Sequence, residues 1–324
     1  MNIERTTALC TRLVENLEHV IIGKKHVLEM VVVGLLCQGH LLIEDVPGVG
    51  KTVLARSLAR SLGCSFNRLQ FTPDMLPSDV TGVSIFNQAS REFEFRQGPI
   101  FAQIVLVDEI NRATPKTQAA LLESMEEHRV TAGNETFTLP EPFFVLATQN
   151  PIEQEGTYPL PSVQQDRFMF TLYLDYLPRA QELEVITSTT GRQVDELEKI
   201  MSGPELLAYQ KLIRQVPVAE PILSYAVSLA ARSRPGHSQA PPFVKEYVSY
   251  GASLRGAHYL VLGAKARAVL AGRPHVSLQD IQSVAYPVLR HRIITNFHAE
   301  SEGIKPEEII RRLLETVPAP KSGL

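Results

Sequence analysis

The chain has only three cysteines, Cys10, Cys37 and Cys64. None falls in a CxxC pair and one is left over, which argues against a disulfide framework and fits a reducing, cytoplasmic setting. Each reads as a small buried apolar residue. Nine histidines show no metal-ligand spacing, so none is assigned a ligand role. The net charge is only −3. That balance does not advertise a polyanion partner, though it leaves room for local basic patches. Long apolar runs are missing as well. The most apolar stretch, Val27 to Ile43, is broken by Glu29, Gln38 and His40. It is too short and polar to span a bilayer and reads as a buried helix followed by a buried strand. No segment reads as an export signal, and neither a long-period repeat nor a low-complexity tract is found. What remains is a globular composition. The 324 residues are 44% hydrophobic and 21% charged, enough for a real core and for one large domain or two ordinary ones.

The first half alternates short apolar runs with helical patterns. Leu41 to Glu44, Phe66 to Phe71, Ile104 to Val107, Phe143 to Ala147 and Phe168 to Leu174 read as strands. Runs this short, β-branched and apolar on both faces suit a parallel sheet covered by helices on each side. A helix follows Lys51, and another starts at Thr114, a good N-cap with Pro115 in the first turn. Two hairpins interrupt the plan, one through Val83, Ile85, Phe93 and Phe95, the other through Val130 and Phe137 about Gly133-Asn134. They read equally well as antiparallel decoration and as gripping elements. After Pro178 helical periodicity takes over, with capped starts at Ser202-Gly203-Pro204-Glu205 and Ser277-Leu278-Gln279-Asp280. The reading is an α/β domain over residues 1–178 and a smaller helical domain over 179–324.

The strongest local signal is Asp45-Val46-Pro47-Gly48-Val49-Gly50-Lys51-Thr52, between a strand and a helix that opens with Val53. Gly48 and Gly50 let the backbone approach a phosphate closely. Successive N–H groups at a helix start form an anion nest. Lys51 supplies charge for the β and γ phosphates and Thr52 a hydroxyl for Mg²⁺. Asp45 stands where this motif usually opens with glycine. In a doubly wound sheet all strands present their C-terminal ends to one crevice. Asp108 and Glu109, which close a strand, therefore come beside the loop, Asp108 to hold Mg²⁺ and Glu109 to deprotonate the attacking water. Asn150 ends the next strand and can reach the γ-phosphate, or serve merely as a turn residue before Pro151. Arg167 is a candidate arginine finger, with a salt bridge to Asp166 as the plain alternative. Arg255 lies in the first turn of a helix capped by Ser253. A cation there opposes the helix dipole, which makes sense beside an anion; a flexed, exposed arginine is the alternative.

Several longer motifs occur in a fixed order: Asp108-Glu109-Ile110-Asn111-Arg112-Ala113, Ala147-Thr148-Gln149-Asn150-Pro151, Glu155-Gly156-Thr157-Tyr158-Pro159-Leu160-Pro161 and Asp166-Arg167-Phe168. With the loop, they resemble the MoxR family of AAA+ ATPases from about Ile21 to Arg292. The resemblance implies a three-layer AAA+ sheet of order 5-1-4-3-2 with hairpin inserts and an all-α lid. It implies ATP and Mg²⁺ as ligands and a ring, usually a hexamer, with nucleotide between subunits. Lys51 and Thr52 would lie in Walker A, Asp108 and Glu109 in Walker B, and Asn150 would be sensor 1. Arg167 would reach into the neighbour's site. Arg255 would be sensor 2 and link the lid to the nucleotide. Ile22 and Gly23 would lie near the adenine, and both hairpins would face the pore or a partner. It also implies a chaperone that acts with a von Willebrand factor A domain protein to mature or insert metal cofactors in client complexes. The alternative is a nucleic-acid-stimulated AAA+ motor. Against it stand the small net charge and a second hairpin with Arg129 as its only cation. A slow, nucleotide-gated binding module is a third class, and the intact Glu109 argues against it.

Overall fold

The computed structural model describes residues 3–45, 48–89, 91–133, 135–150, 156–191 and 197–320. Its strands, in chain order, are β1 (Leu41–Asp45), β2 (Phe66–Gln70), the hairpin β3 (Gly82–Asn87) and β4 (Glu92–Gln97), β5 (Ile104–Asp108), the hairpin β6 (Arg129–Ala132) and β7 (Glu135–Thr138), β8 (Phe144–Gln149), β9 (Phe170–Leu174), and the short pair β10 (Val248–Tyr250) and β11 (Ile294–Thr295). The helices are α1 (Ile3–Glu18), α2 (Lys25–Leu36), α3 (Lys51–Leu62), α4 (Pro77–Thr81), α5 (Pro115–Glu127), α6 (Ser162–Gln165), α7 (Arg179–Thr190), α8 (Gly203–Gln215), α9 (Glu220–Arg232), α10 (Pro242–Tyr247), α11 (Leu254–Leu270), α12 (Leu278–Leu289), α13 (Phe297–Ser301) and α14 (Pro306–Thr316).

The five apolar runs pair as one parallel sheet in the order β2-β5-β8-β1-β9. Counted in chain order among themselves this is 5-1-4-3-2, as the resemblance implied. Alternation along each strand divides the core in two. Leu41, Ile43, Ile104, Leu106, Phe144 and Leu146 join α1, α2, α3 and the C-terminal helices in one cluster. Leu42, Val105, Val107, Val145 and Ala147 face the other way, against Leu121, Leu122 and Met125 of α5. Both faces are covered, so all five residues of β5 are buried.

The two hairpins stand outside the sheet as separate ribbons with Val130 opposite Phe137. They meet through Phe95, whose ring stacks on Phe137 at 4.0 Å between centroids. Asn134 lies outside the described residues. The C-terminal half is helical, but β10 and β11 add a small antiparallel ribbon to it. Ser202 and Ser277 form the expected capping boxes. Thr114 occupies its N-cap position but makes no cap bond; its hydroxyl meets Thr117 Oγ1 instead. Cys10 and Cys37 are buried as expected, whereas Cys64 is only partly so.

His40, just before β1, ties the layers together. Val145 N–H donates to its Nδ1 at 3.0 Å, so the proton sits on Nε2, 3.1 Å from the Met125 carbonyl at the end of α5. Burial holds its pKa down at about 4. The unfolded chain takes up this proton below the ordinary value of 6.5 and the native chain does not until about 4. Stability is therefore full above the upper value and is lost as pH falls toward the lower one, by about 3 kcal/mol for this one group. Buried His291, likewise held well down, adds to the loss. The melting temperature is expected to drop steadily through this window, and a flat profile would contradict the assignment.

Candidate nucleotide site

The C-terminal ends of β1, β5 and β8 form one rim. At β1 the backbone leaves Asp45 for the phosphate loop, of which Val46 and Pro47 lie outside the described residues. Gly48 and Gly50 have φ of 85° and 89°, a left-handed region that disfavours any side chain. A Cβ on Gly48 would meet nothing within 4 Å, so space is open beside the loop. Gly50 is the N-cap of α3 and gives it no side-chain cap. With no side chain at its N-cap, α3 opens with the N–H groups of Lys51, Thr52 and Val53 toward the loop, the arrangement of an anion nest.

Beside the loop lies a cavity of about 510 Å³ lined by Ile21, Ile22, Gly48, Val49, Gly50 and Val53 and, across from them, by Glu182, Val185 and Ile186 of α7. Its size and largely apolar walls fit a purine nucleotide. The helix α7 has no buried residue of its own and forms one wall of this space. Gly23 is not part of the lining; its φ of 73° turns the chain against the Gln181 side chain.

On β5, the Asp108 carboxylate is buried. It takes Arg68 Nε at 2.6 Å and the Thr148 hydroxyl at 3.4 Å. Glu109 follows in the left-handed region at φ 55°. Its N–H donates to Thr148 Oγ1 at 3.0 Å. Its carboxylate receives Gln70 Nε2 at 2.8 Å and Arg112 Nε at 3.1 Å. Asn150 is buried at the end of β8, while Pro151 and Glu155 of the expected motifs lie outside the described residues. Arg68, Gln70 and Thr148 were not anticipated from the sequence. The signal for the first two is a strand in which polar residues alternate onto the face of a neighbour ending in two acids; Gln70 is in register with Asp108. For Mg²⁺, one hydroxyl on Thr52 and one carboxylate on Asp108 are a suitable hard-oxygen pair, since this ion takes most of its shell from phosphate and water.

The two arginines are elsewhere. Helix α5 returns antiparallel to the strands and ends at the N-terminal rim of the sheet, where His40 holds its Met125 carbonyl. Arg167 precedes β9 at that same rim. Its Nη1 lies 3.0 Å from Glu126 Oε2 and donates to the Leu122 carbonyl. Ser253 caps α11 through the Arg255 N–H, as expected. Arg255 Nη2 lies 2.7 Å from Glu126 Oε1 and Nη1 lies 3.7 Å from Asp166 Oδ2. The fold thus separates the expected residues into two groups. Loop, acids and Asn150 share one rim, while Arg167 and Arg255 share the opposite one. A strand of five residues puts about 16 Å between them. Arg255 is therefore not beside its own chain's loop, because Ser253 and Arg255 both dock on Asp166, before β9.

A five-stranded parallel sheet of this order, a glycine loop at its first strand, an acid pair closing its third and a helical lid together define a AAA+ ATPase. Residues 40–170 match the model of the ATPase family associated with various cellular activities (AAA), and residues 243–313 match the AAA lid domain. The chain is 40% identical to Chaperone MoxR1 of Mycobacterium tuberculosis, over 96% of this chain and 82% of that protein. It is 44% identical to protein YeaC of Bacillus subtilis, over 96% and 95% of the two. A solved structure from Cytophaga hutchinsonii superimposes with a TM-score of 0.92 at 40% identity, covering 98% of this chain and 97% of that one. The chain belongs to the MoxR family of AAA+ ATPases. No helix among the described residues is long and apolar enough to cross a membrane.

Proposed function

We propose that the chain hydrolyses ATP at sites shared between neighbouring subunits of a ring, a hexamer by family resemblance, and uses the cycle to remodel a client protein complex. The observation that carries this reading is the placement of Arg167 and Arg255 at the rim opposite their own loop. Within one chain they are out of reach of its nucleotide, and a neighbour's γ-phosphate gives both a function. Two large apolar side chains beside them, Val163 and Leu254, are 77% and 75% exposed, which suits a surface that a second subunit covers.

In the proposed cycle the cavity takes the base, and the Gly48–Lys51 backbone and the Lys51 ammonium take the phosphates. Thr52 and Asp108 hold Mg²⁺, which neutralises charge on the β and γ phosphates when bound. Glu109 removes the proton of the attacking water and Asn150 orients that water against the γ-phosphate. Gln70 and Arg112, on the Glu109 carboxylate, and Arg68, on Asp108, hold these acids in this structure and would have to release them for Glu109 to take a proton and Asp108 to hold the ion. Action with a von Willebrand factor A domain partner and a role in metal-cofactor maturation follow from the family resemblance. A relative named as a chaperone supports the remodelling reading. The exposed hairpin carries Phe86 and Phe93, and its acids Glu92 and Glu94 are balanced by Arg91 and Arg96, an apolar, charge-balanced surface better suited to polypeptide than to a phosphate backbone.

The test is the dependence of activity on assembly. Specific ATPase activity is expected to rise steeply from nanomolar to micromolar subunit concentration, in step with ring formation seen by mass photometry. Constant specific activity across that range would sink the shared site. Stimulation by DNA that weakens with salt would favour the motor instead.

A further inference from the structure

At the N-terminal rim five side chains of alternating charge stand in one line. Arg292 Nε lies 2.7 Å from Asp166 Oδ1, and Asp166 Oδ2 lies 3.7 Å from Arg255. Glu126 then gives one oxygen to each of two guanidiniums, Oε1 to Arg255 at 2.7 Å and Oε2 to Arg167 at 3.0 Å. Four separate pieces of chain meet there: the end of α5, the loop before β9, the start of α11, and the turn after α12 that carries Arg292. By helix criteria Glu126 is badly placed. It lies in the last turn of α5, which has no basic residue, so its charge opposes the helix dipole. The two arginines offset that cost, and their mutual repulsion is in turn offset by Glu126. The carboxylate is also well anchored, because the preceding residue, Met125, has its carbonyl held by buried His40.

We infer that Glu126 is the positioning residue for the arginine pair: one carboxylate sets the spacing of the two guanidiniums that together meet a neighbouring subunit's terminal phosphate. Each arginine has five N–H donors in a rigid fork. Glu126, the Leu122 carbonyl and Asp166 use some of them, and the remaining donors can meet phosphate oxygens. Without it two like charges on long side chains separate, and a misplacement of about 1 Å can cost about a hundredfold in rate. The inference rests on the proposal that both arginines serve a neighbour's site.

Glu126→Gln keeps the side chain's size and removes its charge. In uniform assemblies kcat is expected to fall about tenfold or more while KM for ATP stays within about threefold, since ATP is held by the neighbour's own loop. Mixing decides the matter. Lys51→Ala subunits, without a working loop, are combined with Arg167→Ala subunits, without a finger. If sites are shared, the mixture regains activity. The donor is then changed to Lys51→Ala/Glu126→Gln. Loss of the rescue places the role of Glu126 in the donor, acting through its arginines. Undiminished rescue by that donor overturns the inference while leaving the shared site intact, whereas no rescue by Lys51→Ala alone overturns the shared site and the inference with it. Entry of the donor into mixed assemblies is checked by mass photometry. If Glu126→Gln does not enter, Glu126→Asp replaces it, with the charge kept but drawn back by one methylene, and the same outcomes apply.

Discussion

Glu109→Gln is expected to bind ATP nearly as the unaltered chain does and to release phosphate about a thousandfold more slowly. The scale is that of a lost general base, roughly 10² to 10⁴. Glutamine is chosen because the site is built around shape as well as charge. Glu109 sits at φ 55°, with its N–H on Thr148 and its carboxylate between Gln70 and Arg112. An amide fills the same space and can still meet Gln70, but it cannot accept the proton of water. Binding of a fluorescent ATP analogue and single-turnover phosphate release separate the two effects. A rate within tenfold of the parent would remove Glu109 as the base.

The second large effect is expected at the other rim. Arg167→Ala should cut turnover by about 10³ or more, the range in which an arginine finger acts, with little change in nucleotide affinity of the isolated subunit. Arg255→Ala should fall in the same direction. Because both arginines share Glu126, the double variant should be little worse than the more damaged single one, as happens for groups that act as a unit. Fully multiplicative losses would show that the two guanidiniums work on separate steps. If Arg255→Ala weakened ATP binding by isolated subunits instead, Arg255 would have to reach its own chain's loop, against the geometry found here.

What was legible in the sequence was local. The loop, the acid pair and the capping boxes each consist of neighbours a few residues apart, and short apolar runs between helical patterns gave all five sheet strands. Partners far apart in the chain were not legible. Arg68 and Gln70 look like ordinary polar residues of a strand until β2 is set beside β5, in register with Asp108. Glu126 looks like one of several solvated acids on α5 until two arginines from later in the chain arrive on it. The family resemblance implies that Arg255 links the lid to the nucleotide, and its helix position on its own calls only for a nearby anion. The anions it found are Glu126 and Asp166. The stacking of Phe95 on Phe137, which joins the hairpins, had no sequence signature beyond two aromatic residues. Thr114 makes no cap bond; its hydroxyl turns to Thr117 Oγ1, whose own proton goes to the Met75 carbonyl.

The burial of Arg292 has a mechanical consequence. Its side chain is only 1% exposed, and it donates to the carbonyls of Asp166, Phe168, Met169 and Val288 as well as to the Asp166 carboxylate. Burial lowers its pKa only to about 10, so the charge persists at neutral pH. Breaking such a pair from one side costs about 3 to 5 kcal/mol. This cation is a rivet between α12 and the entrance to β9, and a hinge cannot open through a rivet. The ion pair clamps sheet and lid together at this seam; in the proposed ring, a stroke that follows hydrolysis would then be a displacement of whole subunits along their shared boundaries.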